Sequence, residues 1–372
     1  MSATIENADP ETGAATGNID LSGDHLGLPA APHIREAAKR ALDEGATHYT
    51  TRPGLDPLRE AVARKLRDRN GIEVHPQSEV IITSGTQEAL FVALHVLLEP
   101  GDEALVPRPS RRAYVDIVEA AGGVAVEAHG RSDEGFALDP ERLANLLTDR
   151  TRVIVLGSPL TPAGAVHSRE ALQRIADLAI ERNLAVVVDE AAEPFVYDRE
   201  YLSIGSLPGM AERTITINGF SHAYALSGWR VGYMAGPQTL MASMMKLKQA
   251  LSICSAAVSQ YAALAAMTGP QTPLEEARAT VESRREAAFT ALDAAGIPYV
   301  CPTAGFHVLL QGRDAGDLST DAIERLTGVK LAPGSDFGVP SWYRLSLTQP
   351  PHTIVEAVTR LREPLWGGAL NG

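Results

Sequence analysis

Phe220-Ser221-His222-Ala223-Tyr224-Ala225-Leu226-Ser227-Gly228-Trp229-Arg230-Val231-Gly232-Tyr233 is the stretch on which the fold reading turns. It follows Thr214-Ile215-Thr216-Ile217, a short apolar, β-branched run of the kind that forms a buried strand. Two side chains in it carry chemistry. Imidazole, at His222, titrates near pH ~6.5 and serves as general acid or base. It has no primary amine, so it cannot condense with an aldehyde. The guanidinium of Arg230 is suited to forked contact with a phosphate.

Working outward, similar apolar runs recur at Val80-Ile81-Ile82-Thr83, Ala104-Leu105-Val106, Val153-Ile154-Val155-Leu156 and Ala185-Val186-Val187-Val188. Helical patterns separate them, as from Ser168 to Arg182. That alternation predicts an α/β fold around a mainly parallel sheet. Ligands on such sheets bind beyond the carboxyl ends of the strands. Thr83, Asp189 and Asn218 fall at or just past such ends. Toward the C-terminus the character changes. A long charged helix pattern from Pro273 to Ala295 precedes strand-like Gly305–Leu310 and Arg344–Leu347, which predicts a smaller α+β domain. The expected organisation is a flexible tail over 1–18, an N-terminal segment over 19–44 packing with the small domain, a large domain over 45–268, and the small domain over 269–372.

The formal net charge of −13 argues against nucleic acid as a partner, because phosphate backbones need a basic surface. The first eighteen positions lack a basic and an apolar signal-peptide region, and no window approaches a membrane span. Cys254 and Cys301, two thiols in apolar contexts, suggest buried reduced cysteines. The expectation is a cytoplasmic, soluble protein.

Several further motifs, in order, carry a resemblance to a known family. They are His48-Tyr49-Thr50-Thr51-Arg52-Pro53-Gly54-Leu55 with Leu58-Arg59-Glu60, Thr83-Ser84-Gly85-Thr86-Gln87-Glu88, Val188-Asp189-Glu190-Ala191, Gly228-Trp229-Arg230, and Tyr343-Arg344-Leu345-Ser346. From about Ile19 to Leu361 the chain resembles the class I/II aminotransferases, which are fold-type I enzymes using pyridoxal phosphate (PLP). The resemblance implies that fold, a large domain with a mainly parallel sheet plus a smaller α+β domain. It implies a homodimer with shared active sites, in which Tyr49 reaches the cofactor phosphate of the neighbouring subunit. It further implies that Gly85 and Thr86 cradle the phosphate at a helix N-terminus, with Arg230 on the same phosphate. Asp189 would pair with the pyridine nitrogen and keep the ring an electron sink. Arg344 would bind the substrate α-carboxylate. Taken singly, each has a plainer reading: a turn glycine, a helix-capping aspartate, a surface arginine.

The pattern also breaks. His222 stands where the family has the lysine that carries PLP as an imine. Pro107-Arg108-Pro109-Ser110-Arg111-Arg112-Ala113-Tyr114 matches the segment that brings Tyr114 to the pocket, with Arg111 in place of an aromatic residue and Arg112 in place of a proline. Arg111 at that place suits a planar ligand or a second carboxylate; the alternative is a loop arginine pointing outward. Thr161 replaces an asparagine that bonds the PLP phenolic oxygen, Ala192 a tyrosine, and Gly219 a serine. Lys246, Lys248 and Lys330 are read as residues on solvated faces or outside the site, not as substitutes for the missing amine.

These departures lead to the expectation of a noncanonical enzyme on this fold. It would act on a small amino acid, keto acid or related carboxylate, with Arg344 as anchor, Arg111 as a second contact and His222 as general acid/base. PLP or pyridoxamine phosphate (PMP) would be held without a covalent bond, or no cofactor used. A related branch, the PMP-dependent sugar dehydratases, has histidine at this position. Two alternatives stand beside it: a catalytically silent binding protein, in which the retained residues merely stabilise the fold, and an ordinary PLP transaminase.

Overall fold

The computed structural model describes residues 17–312 and 318–366. It divides into two compact units. The larger comprises Leu28–Arg278 and Pro302–Gly305, the smaller Gly27 and the residues before it, Ala279–Cys301 and Phe306 onward.

The larger unit is built on seven strands: β1 (Val80–Thr83), β2 (Glu103–Arg108), β3 (Val124–His129), β4 (Thr151–Gly157), β5 (Ala185–Asp189), β6 (Thr214–Gly219) and β7 (Gly232–Ala235). Their order in the sheet is β1-β7-β6-β5-β4-β2-β3. Only β7 runs antiparallel to its neighbours, pairing with β1 and β6; the rest are parallel. The sheet is mainly parallel, as the alternating runs predict. Its carboxyl edge therefore collects Thr83, Arg108, Gly157, Asp189 and Gly219.

Two apolar layers explain why these strands lack a polar face. Val153, Val155, Val187, Ile215 and Ile217 pack against Leu90, Ala93 and Leu94 on the helix Thr86–Leu97. The intervening Ile154, Leu156, Val186 and Val188 pack against Leu172, Ile175 and Ala179 on the helix Arg169–Glu181. All of these are fully or almost fully buried, and each such Val, Leu or Ile side chain contributes about 1.5–3 kcal/mol of transfer free energy. The second helix begins at Ser168, whose hydroxyl accepts from the Ala171 N–H at 3.2 Å.

In the smaller unit, four antiparallel strands follow the order Ala332–Pro333, Trp342–Ser346, His307–Gln311, Tyr299–Val300. Ile19–Asp20 pairs in parallel with Val329–Lys330. Helices Thr320–Thr327 and Pro351–Trp366 belong to it, with the part of helix Thr272–Ala295 from Ala279 on.

The boundaries fall elsewhere than the sequence pattern suggested. The helix Pro32–Asp43 packs Ile34 and Ala38 against Ala262, Ala263 and Ala266 of the larger unit. At the other end the division falls within helix Thr272–Ala295, at Arg278/Ala279. Helical periodicity shows which residues share a face, but not which sheet that face meets. Two burial expectations also change. Lys248 is fully buried rather than solvated, and Cys301 is exposed while Cys254 is half-buried. The tail expected over 1–18 lies almost wholly outside the described residues. Among the described residues, no helix is long and apolar enough to cross a membrane.

Candidate active site

The carboxyl edge of the sheet gathers two groups of side chains in the larger unit. The first forms at the turn after β1. Gly85 has φ of +82°, a left-handed conformation that favours glycine. A Cβ there would lie 2.5 Å from Nη2 of Arg230, so the arginine lies against bare backbone. Nη1 of Arg230 donates to the Ser227 carbonyl at 2.9 Å, and Nη2 lies 3.5 Å from the Ser84 carbonyl. The side chain is exposed, and these contacts are to neutral carbonyls, so the positive charge is not cancelled.

Thr86 opens the helix Thr86–Leu97, whose first N–H groups lack intrahelical partners. A Cβ on Gly219 would meet the Thr86 methyl at 2.9 Å. The serine-to-glycine departure at 219 thus matches the space that Thr86 leaves. Behind the turn, the Glu88 carboxylate accepts from the Ser84 N–H at 2.6 Å and from the Ser252 hydroxyl at 2.7 Å. The ammonium of Lys248 donates to Ser252 at 3.1 Å and stands 4.0 Å from Glu88. Burial lowers its pKa, and the Glu88 charge opposes that shift. The one fully buried lysine among the described residues is thereby tied to the turn.

The second group surrounds Asp189 at the end of β5. Its Oδ2 accepts from the Tyr114 hydroxyl at 3.0 Å, and its Oδ1 from the Ala191 N–H at 3.1 Å. Nη1 of Arg111 stands 3.7 Å from the same Oδ2, while Nη2 donates to Gln87 at 3.3 Å. Arg111 therefore turns toward the carboxylate. Its neighbour Arg112 turns outward, pairs with Asp116 at 2.8 Å and stays exposed. Burial, with the Asp189 charge beside it, pushes the Tyr114 phenol well above its usual range, so it stays a donor. Ala192 is buried, and Thr161 is half-buried in the loop before Gly164.

His222 occupies the turn just after β6 and is half-buried. It borders a cavity of about 30 Å³ with Leu28, Pro29, His33, Pro270 and Leu274, room for about one water. A larger cavity of about 420 Å³ lies on the same turn, lined by Gly219, Phe220, Tyr224, Lys65 and Glu193 among others; its lining includes neither Asp189 nor Arg230. Tyr49 is 79% exposed. Arg344 belongs to the smaller unit, where its guanidinium is buried and bonded to the Asp24 carboxylate.

Some polar groups escaped the sequence reading. Behind Asp189, Glu190 is fully buried and, with Glu193, accepts from the Asn70 amide at 2.9 and 2.7 Å. Lys65 pairs with Glu193, and Ser203 donates to Glu190. Burial, reinforced by the Glu193 charge, raises the Glu190 carboxyl well above the usual carboxylate range. Nothing in the local sequence pairs Asn70 with residues so far along the chain. Glu88 had a readable signal, a glutamate three positions past the helix N-cap.

The family model described as "Aminotransferase class I and II" matches residues 15–361. This chain belongs to that family. It is 36% identical over 362 residues to the aspartate aminotransferase of Pyrococcus abyssi, covering 94% of this chain and 93% of that protein. It is also 36% identical to aromatic-amino-acid aminotransferase 2 of Thermococcus litoralis, over 90% and 88% of the two chains. The solved structure of the Thermus thermophilus aspartate aminotransferase with maleate superposes with a TM-score of 0.89 at 35% identity, over 93% of this chain and 91% of that one.

These relatives overturn the expectation of a noncanonical enzyme with His222 as general acid/base. Proteins this similar over nearly the whole chain are named as aspartate and aromatic aminotransferases, which favours ordinary amino-group transfer. The departures at His222, Arg111, Arg112, Thr161, Ala192 and Gly219 are few beside a match that runs along nearly the whole chain. The family implies PLP or PMP as cofactor.

Proposed function

We propose that the protein is a PLP-dependent aminotransferase that moves an amino group between a small amino acid and a 2-oxo acid. The observation that carries this reading is the similarity, at about a third of positions and along nearly the full chain, to aminotransferases of aspartate and aromatic amino acids. When bound, the cofactor supplies the electron sink for loss of a proton beside the amino nitrogen.

The residues present fit its phosphate end. Gly85 leaves a cradle, Thr86 opens a helix whose first N–H groups would be free to hold a phosphate, and Arg230 keeps its charge. At the ring end, Asp189 offers a buried carboxylate for a protonated pyridine nitrogen, with Tyr114 holding its orientation. In this reading Thr161, half-buried in the loop before Gly164, would take the contact to the phenolic oxygen. In this reading Tyr49 completes the phosphate site of a partner subunit, so the active form is a homodimer.

The covalent anchor does not fit. His222 takes the place of the family's lysine, and imidazole forms no imine. Retention of the cofactor then rests on the phosphate turn, Arg230 and Asp189.

Absorption and mass analysis of desalted protein, before and after borohydride, tests this together with amino transfer from aspartate and phenylalanine to 2-oxoglutarate. The expected result is a retained, removable chromophore with measurable transfer, and no adduct at position 222. A borohydride-fixed adduct on another residue would relocate the anchor, and Lys248, beside Glu88 of the phosphate turn, is the first lysine to inspect. Loss of the cofactor on desalting with no transfer would sink the proposal. It would favour the second reading, a binding protein without turnover, which the Arg111 guanidinium beside Asp189 supports: a resident cation already stands where a protonated ring nitrogen would find its counter-charge.

A further inference from the structure

Arg344 is 3% exposed, and its hydrogen bonds are made within the smaller unit. Nη1 donates to the Asp24 carboxylate and Nη2 to the Ser22 carbonyl, with the Gly23 carbonyl at 3.5 Å. The guanidinium carbon lies 4.8 Å over the Phe337 ring. Ser346, two residues on, holds the same loop through its hydroxyl to the Gly23 carbonyl at 2.5 Å and its N–H to the Leu21 carbonyl at 2.9 Å. The imidazole of His307 adds a contact of 3.5 Å to the same Asp24 oxygen. The protein packed beside the otherwise exposed Asp24 opposes its ionisation, but His307 and Arg344 together outweigh this and hold its carboxyl well below the usual carboxylate range.

The pair is asymmetric. The arginine is buried, whereas the Asp24 side chain is 75% exposed. A carboxylate reachable from solvent thus covers a cation that is not. An incoming small-molecule carboxylate seeking Nη1 of Arg344 would stand beside Asp24, and two carboxylates that close repel. Binding requires Asp24 to swing away, and its exposure leaves it space to do so.

We propose that Asp24 is a built-in carboxylate that competes with the substrate's carboxylate for Arg344, and so sets how tightly this subsite takes carboxylate substrates. The inference rests on the transaminase reading for the identity of the substrate, and on the Arg344–Asp24 geometry for the competition. Asp24 is a specificity residue, not a catalytic one.

The test is calorimetric titration of maleate, a dicarboxylate with neither amino nor keto group, into the purified full-length protein. Wild type is compared with Asp24→Asn, Asp24→Ala and Asp24→Asn combined with Arg344→Met. The asparagine variant keeps the size of the side chain and removes its charge, and thermal melts confirm that each variant is folded. The expected result is at least about a tenfold lower Kd in Asp24→Asn and Asp24→Ala than in wild type, with the gain abolished by Arg344→Met. Equal affinity in wild type and both Asp24 variants, a gain that survives loss of Arg344, or no binding by any folded variant would each overturn the proposal. Maleate undergoes no chemistry, so failure of the transaminase reading appears only in the cofactor and transfer assays and leaves this titration interpretable.

Discussion

Arg230 and Arg344 are both arginines that the family pattern assigns to anions, and the protein treats them in opposite ways. Arg230 is exposed and donates to the backbone carbonyls of Ser227 and Ser84. Arg344 is buried and bonded to a carboxylate. Carbonyl partners orient a guanidinium without neutralising it, so its attraction for an incoming anion persists. A carboxylate partner satisfies orientation and charge together, and an incoming anion must then displace it. Arg111, 3.7 Å from Asp189 and half-exposed, lies between these cases.

The comparison fails or sharpens according to four measurements. The largest effect is expected for Arg230→Ala, which should raise the Kd for PLP about a hundredfold, since hydrogen bonds to charged groups contribute about 1.5–3 kcal/mol each. Arg344→Met should leave that Kd within about twofold by the same spectroscopic titration. Equal losses from both would break the comparison. Next comes Arg111→Tyr. Removing the cation beside Asp189 frees the carboxylate for a protonated ring, and PLP affinity should rise by roughly three- to tenfold, about 1 kcal/mol; a fall would mean that Arg111 itself holds the ligand.

A third measurement extends the argument to carboxylates. Glu190 has Glu193 as a neighbour and is buried, so its folded-state pKa lies above the unfolded value of about 4.3. A group raised in this way contributes stability that is fully present below the unfolded pKa and is lost as pH rises through the folded one. Glu190→Gln should therefore gain in Tm relative to wild type as pH rises from 5 to 9, by roughly 1–2 °C for each ~1 kcal/mol in a chain of this size. A Tm difference independent of pH would show that Glu190 is ionised throughout. The smallest effect is expected for Arg112→Ala. That exposed pair with Asp116 is solvated on both sides, and neither melting temperature nor PLP affinity should change measurably.

The sequence by itself determined the sheet, the family and most of the sheet-edge residues. Strands buried on both faces are written as continuous apolar runs, so Val153–Leu156 and Ala185–Val188 were legible without partners. The strand-to-helix turn after β1 was legible because its signal is local: Gly85 and Thr86 lie within one connection. The opposite turning of Arg111 and Arg112 was not legible, because adjacent residues of one type differ only in what stands across from them. Weighing the departures at His222, Arg111, Thr161, Ala192 and Gly219 led to a noncanonical enzyme, and the likeness to aminotransferases along nearly the whole chain corrected it. Only the tertiary structure decided that helix Pro32–Asp43 belongs with the larger unit, that Lys248 is buried beside Glu88, that Asn70 joins Glu190 and Glu193, and that Asp24 covers Arg344 from a point 320 residues earlier in the chain. The reason is physical. Local sequence encodes backbone preference and the period of apolar residues, whereas burial of a charge and the choice of its partner depend on chain segments that meet only when the molecule folds.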